Sequence, residues 1–361
     1  DPVRELGLTQ GVVEKKTTIP ILSNILIETD KDQIWLTATD LELGIRCACP
    51  ARVKKEGAGT IPARRLLDYV RLLPEADVAV KIQENQWASL VCGRSRTRIA
   101  GMSRDSFPEL PQMPELLAKL PRATLDMMIQ RTIFAISAEE SRFTLNGALL
   151  LIQEQGIVMV ATDGHRLSMI ERKMELEVPG SYKALLPKKA MLEILKLASD
   201  GGDKEIDFSG NENHLFFQID KRLLLSRKLT GNFPDYERVL PKEHPHGVAI
   251  GRDDLRAAIE RVAQFSDERS RAIRVQIAAG ELKVHSSLSE TGESEETLPV
   301  EYGGPDIEIG FNAQYLLDFL KAVDQSEVEF HFKDGNSAGE FRPKNAAEGV
   351  TYRYVVMPMR I

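Results

Sequence analysis

The spacing of hydrophobic and polar positions changes character several times along this chain. In "LLDYVRL" from Leu66, "MLEILKL" from Met191 and "LLDFLKA" from Leu316, apolar residues recur at three and four positions, which predicts amphipathic helices. The same period in "LDMMIQRTIFAI" from Leu125 and "RDDLRAAIERVAQF" from Arg252 predicts two more, and "DPVRELGL" reads as the tail of a third helix of that kind. Between them, "QIWLTATDLELGIRCA", "HLFFQIDKRLLLSRKL" and "SEVEFHFKDG" alternate, as strands with one wet face do. The predicted order is helix, strands, helix, strands. The proline-rich stretches "FPELPQMPELLAKLP" and "FPDYERVLPKEHPHG" read as linkers.

This order repeats. The helices at Leu66, Met191 and Leu316 start 125 residues apart, with Asp68, Glu193 and Asp318 in register and Arg71, Lys196 and Lys321 likewise. "LTATDLELGI" and "MVATDGHRLSMI" place Thr39 and Thr162 123 residues apart, and Phe107-Pro108, Phe233-Pro234 and Met357-Pro358 follow at intervals of 126 and 124. Repeats of that length are domain-sized, so the chain reads as three homologous α+β domains spanning 1–114, 115–241 and 242–361. "YVVMPMRI" then reads as the last strand of the third copy plus a linker stump with no domain to lead to. Its apolar residues are free to line a surface groove.

Of 361 residues, 47 are basic and 54 acidic, a formal charge of −7. A chain of that balance meets nucleic acid only if it gathers its cations on one surface. The predicted helices repeat theirs: Arg64, Arg65 and Arg71 in the first copy, Lys188, Lys189 and Lys196 in the second, Lys321 in the third, with Arg131 and Arg256 125 residues apart. A lining of that kind would touch phosphates without reading bases. The plainer alternative is a solvated helix face carrying an Asp68–Arg71 ion pair.

Cys47, Cys49 and Cys92 form no paired framework and no zinc spacing. No stretch of about 20 apolar residues is present and no leader pattern is visible, so the expected setting is cytoplasmic, without membrane contact. The start at Asp1 suggests a short missing segment, expected as the first strand of the first domain. Phosphate-binding, nucleophile-elbow and zinc-protease motifs are absent. Only "TDGHR", with Asp163 and His165, invites a hydrolytic reading.

"ATDGHRLSM", "FPDYERVLP" and "YVVMPMRI", with "IPILSN" from Ile19 and "FNAQYLLDFL" from Phe311, resemble the bacterial DNA polymerase III beta subunit family, the sliding clamps. The resemblance covers the whole chain. It implies three DNA-clamp domains with helices on one face and antiparallel sheets on the other, two chains joined head to tail as a homodimeric ring, and a non-catalytic, cofactor-free role as processivity factor around double-stranded DNA. Implied partners are the DNA polymerase III alpha subunit, the clamp loader delta subunit, and other DNA polymerases and repair proteins with clamp-binding motifs.

Carried over by motif, the peptide-binding groove would comprise Leu145, Thr162, Gly164, His165, Arg166, Leu167, Pro234, Arg238 and Val239. Asn312 and Tyr315 would form its rim, and Val355, Val356, Met357, Pro358, Met359 and Arg360 would complete it. Methionines suit a surface that serves many partners, and Arg166, Arg238 and Arg360 could hold a polar or acidic peptide atom. The resemblance points DNA contacts at Lys15, Lys16, Arg71, Lys188, Lys189 and Lys196, leaves the loop at Glu139 without a matching polar contact, and sets Thr97 and Ile99 against Gln264 and Phe265 at the ring interface. The competing readings are a peptide-binding scaffold that never encircles DNA, favoured by a monomeric native mass, and a hydrolase using Asp163 and His165, which requires a bound metal or turnover that His165→Ala abolishes.

Overall fold

The computed structural model describes residues 2–13, 17–197, 204–288 and 292–360. The chain begins with α1 (Pro2–Gln10), β1 (Asn24–Asp30), β2 (Gln33–Thr39), β3 (Leu43–Pro50) and β4 (Ala58–Pro62). It continues through α2 (Ala63–Val70), β5 (Ala79–Ile82), β6 (Trp87–Cys92) and β7 (Ser95–Ala100). The second repeat contains β8 (Ala118–Pro121), α3 (Arg122–Gln130), β9 (Gly147–Gln153), β10 (Gly156–Thr162), β11 (Arg166–Lys173) and β12 (Tyr182–Pro187). It closes with α4 (Lys188–Leu197), β13 (Glu205–Gly210), β14 (His214–Ile219) and β15 (Arg222–Arg227). A short α5 (Tyr236–Val239) leads to β16 (His246–Gly251), α6 (Arg252–Val262), β17 (Ala272–Ala278), β18 (Glu281–Leu288) and β19 (Gly292–Pro299). Last come β20 (Ile307–Asn312), α7 (Ala313–Ala322), β21 (Glu327–Phe332), β22 (Gly339–Pro343) and β23 (Val350–Val356).

Two compact units result, one of residues 1–126 with 189–228, the other of 127–188 with 229–361. In the first, an eight-stranded sheet has the order β4-β1-β2-β3-β15-β14-β13-β8, and a separate sheet has the order β5-β6-β7. In the second, the eight-stranded sheet runs β12-β9-β10-β11-β23-β22-β21-β16, beside a four-stranded β19-β18-β17-β20. Each large sheet is therefore spliced from halves of successive repeats. The splices are antiparallel ladders, β3 on β15 with Ile45 opposite Leu224, and β11 on β23 with Ile170 opposite Tyr352.

Helices form where the apolar period meets a sheet. In α6, Leu255, Ala258, Ile259 and Val262 are buried at the three- and four-residue spacing of one face. In α2, Leu66 and Leu67 join Ile25, Leu36, Cys47 and Cys49 in a core cluster while Arg64, Arg65 and Asp68 stay exposed. Each such aliphatic burial contributes roughly 1.5–3 kcal/mol.

Four expectations change. First, α1 is longer than the stretch read from sequence: like α3 it has nine residues, and its Leu6 enters the same core cluster as Leu66. Second, the proline-rich stretches are partly regular, because β8 pairs with β13 and Tyr236–Val239 turns as a helix. Third, the ion pair on α2 is Arg64–Asp68 at 3.7 Å, four residues apart, where the helix brings the two side chains to one face. Fourth, Arg131 is buried rather than phosphate-facing; its guanidinium pairs with Asp324 at 3.1 Å and lies over the Tyr352 ring. No helix among the described residues is long and apolar enough to cross a membrane.

The segment before β16 is locked to the second unit by a fully buried carboxylate. Glu340 accepts from Arg342 Nε at 2.8 Å and Arg353 Nη2 at 2.9 Å and meets His244 Nε2, while Arg353 Nη2 also donates to the Pro241 carbonyl. Burial alone would raise the Glu340 pKa, but the bonds from Arg353, Arg342 and His244 outweigh it and pull the carboxyl from 4.5 down to about 2. Its contribution is complete above the ordinary carboxylate range and is lost as pH falls toward about 2. Glu340→Gln should therefore cost about 3 kcal/mol at neutral pH. Urea titrations across the acid range should also show a shallower loss of stability for the variant between pH 4.5 and about 2.

Candidate functional site

The "TDGHR" segment is the turn between β10 and β11. Thr162 Oγ1 donates to the Arg166 carbonyl at 2.6 Å and accepts from Gly164 N at 3.1 Å. Asp163 Oδ1 accepts from His165 N at 2.9 Å and Arg166 N at 3.1 Å. Gly164 sits at φ +89°, where a Cβ would meet Arg142 Nη1 at 2.9 Å, so only glycine fits without strain. Asp163 thus serves the turn, and the exposed His165 stacks beside Tyr315 at 6.5 Å between ring centroids. Among the described residues no group of three or more His, Cys, Asp or Glu side chains is placed to hold a metal ion.

The C-terminal segment is fastened rather than free. Beyond β23, Met357 N donates to the His165 carbonyl at 2.9 Å and Met359 N to the Gly310 carbonyl at 2.8 Å. These bonds tie it to the turn after β10 on one side and to β20 on the other. Val355 is buried in a cluster with Leu149, Leu167, Phe233 and Leu240, against which Leu145 and Tyr236 also pack. Val356 is wholly buried, so its side chain forms no part of an open wall. Met357 is 47% exposed and Val239 42%; Gly164, His165, Pro234 and Arg360 are exposed too, with Pro358 and Met359 half-buried. The result is an apolar floor, Leu167 and Val355, bordered by exposed residues from three segments of one unit.

Arg166 departs from its expected role. Its Nε donates to Asp163 Oδ2 at 3.2 Å, Nη1 to Asp318 Oδ2 at 2.6 Å and Tyr354 Oη at 3.3 Å, and Nη2 to the Phe134 carbonyl at 2.6 Å. The guanidinium also lies 4.4 Å from the Tyr315 ring centroid. Burial disfavours its charge, but Tyr354, Asp318 and Asp163 outweigh that and raise its pKa, so it stays cationic. Four of its five N–H donors are thus engaged within the unit. Arg238 is 86% exposed, with Asp235 at 2.8 Å. Asn312 caps α7 by accepting from Gln314 N at 2.9 Å. Tyr315 is half-buried, and burial with the nearby Asp163 charge raises its phenol pKa.

Of the expected DNA contacts, Lys15 and Lys16 lie outside the described residues. Arg71 and Lys188 are exposed; Lys189 pairs with Asp40, and Lys196 with Glu193 at 2.7 Å. Of the expected interface residues, Ile99 faces into its own unit. It is buried in the core with Leu66, because β7 alternates and turns Arg96, Arg98 and Ala100 outward while Thr97 and Ile99 face in. Gln264 and Phe265 are exposed.

Sequence reasoning also missed Asp318, Tyr354 and Phe134 as partners of Arg166. The register of Asp318 with Asp68 and Glu193 was its one signal.

The comparisons bear on the whole chain. Residues 3–111, 119–235 and 237–360 match the DNA polymerase III beta subunit N-terminal, central and C-terminal domains respectively. A beta sliding clamp of Pseudomonas putida is 35% identical over 99% of this chain and 97% of its own length, and that of Chlamydia pneumoniae 34% over 98% and 94%. The crystal structure of the DNA polymerase sliding clamp from Pseudomonas aeruginosa superposes with a TM-score of 0.92 at 34% identity, covering 100% of this chain and 97% of that one. Another structure from that organism, bound to griselimycin, gives 0.94 at 34% identity over 99% and 97%. With three consecutive family domains and full-length similarity in both sequence and fold, this chain belongs to the DNA polymerase III beta subunit family, the beta sliding clamps.

Proposed function

We propose that this chain acts in the cytoplasm as a homodimeric DNA sliding clamp, a ring without catalytic activity that encircles duplex DNA and holds the replicative polymerase to it. The observation that carries the ring is the splicing rule of the sheets. Twice, the third strand of a repeat's first half pairs with the last strand of another repeat's second half: β3 with β15, β11 with β23. Two half-sheets remain, β5-β6-β7 and β19-β18-β17-β20, and the unpaired edges that the rule would join are β7 and β19.

Their charges are complementary. β7 exposes Arg96 and Arg98, whereas β19 exposes Glu293 and Glu295. Joining β7 of one copy to β19 of a second, at both ends, closes a ring by strand addition. This replaces the helix-based contact expected from sequence, with Gln264 and Phe265 as its fringe. The three domains, set at 1–114, 115–241 and 242–361, would repeat around that ring.

Inside it, Arg71, Lys188, Lys189 and Lys196, with Lys15 and Lys16, would touch phosphates individually weakly, which permits sliding. Partners are double-stranded DNA, the polymerase III alpha subunit, the loader delta subunit, and polymerases and repair proteins carrying clamp-binding peptides. The surface around Leu167, Val355, Met357 and Met359 is the peptide groove: an apolar floor with adaptable methionines at its edge suits varied apolar anchors. The relative solved with griselimycin shows that a clamp of this fold takes a ligand.

Arg96→Glu with Arg98→Glu should shift the protein from dimer to monomer in sedimentation velocity, and Glu293→Arg with Glu295→Arg on the partner edge should restore the dimer. A wild-type chain that sediments as a monomer at micromolar concentration sinks the ring. For the groove, a labelled Gln-Leu-Ser-Leu-Phe peptide should bind saturably, and Met359→Ala should weaken it about fivefold with unchanged thermal stability. Equal affinity in the variant would count against the groove.

A further inference from the structure

Resting on that groove reading, we infer that Arg166 and Asp318 form a positioning strut that holds the rim residue Tyr315 and the terminal strand in their peptide-ready places, and that neither touches the peptide's charges. A guanidinium offers five N–H donors, and the Arg166 bonds to Asp163, Asp318, Tyr354 and Phe134 occupy four. Its side chain is 9% exposed and that of Asp318 20%, so the pair is largely withdrawn from solvent.

What the strut grips is the groove's frame. Asp318 also accepts from Gln314 Nε2 at 2.8 Å, which ties the strut to the first turns of α7, where Tyr315 sits. Tyr354, besides accepting from Arg166, donates its hydroxyl to the Tyr315 carbonyl at 2.8 Å. The Tyr315 ring is held by the guanidinium at 4.4 Å and by His165 at 6.5 Å. Backbone, ring and helix turn of this rim residue are thereby fixed from the β11 side.

The repeat supplies an internal control. The turn after β2 makes the same bonds: Thr39 Oγ1 donates to the Leu43 carbonyl at 2.9 Å, and Asp40 Oδ1 accepts from Glu42 N and Leu43 N. There a buried Leu43 stands where Arg166 stands, and Glu193, at the place of Asp318, pairs with Lys196 instead. The turn does not need the arginine in order to form, so the guanidinium network is an addition particular to the groove side.

A residue that acts through preorganisation raises affinity by lowering the ordering cost of the site. It leaves the salt dependence of binding unchanged, whereas a direct ionic contact is screened. The exposed Arg238 and Arg360 are then the groups that read an acidic peptide atom.

The test uses the full-length protein and a labelled Gln-Leu-Ser-Leu-Phe peptide with an added acidic residue, titrated between 50 and 500 mM salt. Arg166→Lys keeps a charge but loses the planar fork, and should weaken binding about tenfold with the wild-type salt slope; Arg360→Ala should flatten the slope. In a double-mutant cycle, Arg166→Lys and Tyr315→Leu should be strongly non-additive, since the first acts through the second. Asp318→Asn provides a second route to the same result if the lysine variant melts early. Wild-type affinity in Arg166→Lys, a flattened salt slope, or additivity with Tyr315→Leu overturns the strut. Failure of the wild-type chain to bind the peptide at all overturns the groove reading instead.

Discussion

The requirement that a strand's backbone groups be paired organises everything else in this molecule. Three repeats, each able to build two half-sheets, leave open edges wherever a half-sheet stops. The ladders β3–β15 and β11–β23 remove four of those edges by joining halves of neighbouring repeats into continuous sheets of eight strands. The compact units therefore cut across the sequence repeats, and the middle repeat is shared between them. The helices cover these sheets and the half-sheets beside them: Leu66 and Leu67 of α2 are buried in a cluster with Ile25, Leu36, Cys47, Cys49 and Ile61, and the apolar stripe of α6 is buried as well.

The candidate groove is a by-product of the second ladder. Pairing β11 with β23 in the register Arg166–Val356 sets the turn at Gly164 beside the chain's last residues, so that the Met357 amide reaches the His165 carbonyl. Alternation then divides the tail by parity: Tyr352, Tyr354 and Val356 are wholly or almost wholly buried, while Val355 faces the cluster with Leu167 and Phe233. A one-residue slip in that register would exchange these faces. Groove and ladder cannot be altered separately.

Much of this was legible in sequence because it is local or periodic. The helix starts recur at a fixed interval, and the turn residues Thr162, Asp163 and Gly164 announce their own hydrogen bonds through residue type. What was not legible is long-range. Arg166 was read only as a groove residue, because its partners Asp318 and Tyr354 lie 152 and 188 residues away along the chain. Arg131 shares the helix period of Arg256, yet it is buried against Asp324, 193 residues away. Ile99 was expected at an interface, and in the single chain its side chain lies in the core cluster with Leu66. An error of one residue in a strand reverses inside and outside, whereas in a helix it shifts the face by about 100°.

The distribution of charge follows from the same economy. A ring that held DNA tightly could not move on it, so a sliding function calls for cations that are present but partly spent. Lys189 is paired with Asp40, and Lys196 with Glu193, while the adjacent Lys188 and, in the first repeat, Arg71 are exposed. An acidic partner within reach lowers the gain when a lysine meets a phosphate, because one attraction is exchanged for another. The net charge of −7 then ceases to argue against nucleic acid. In the proposed ring, Asp40 and Glu193 would compete with phosphates for Lys189 and Lys196, and Glu293 and Glu295 would complement Arg96 and Arg98. In the proposed ring one acidic excess therefore does two jobs: loosening the contacts that must slip and strengthening the one that must close.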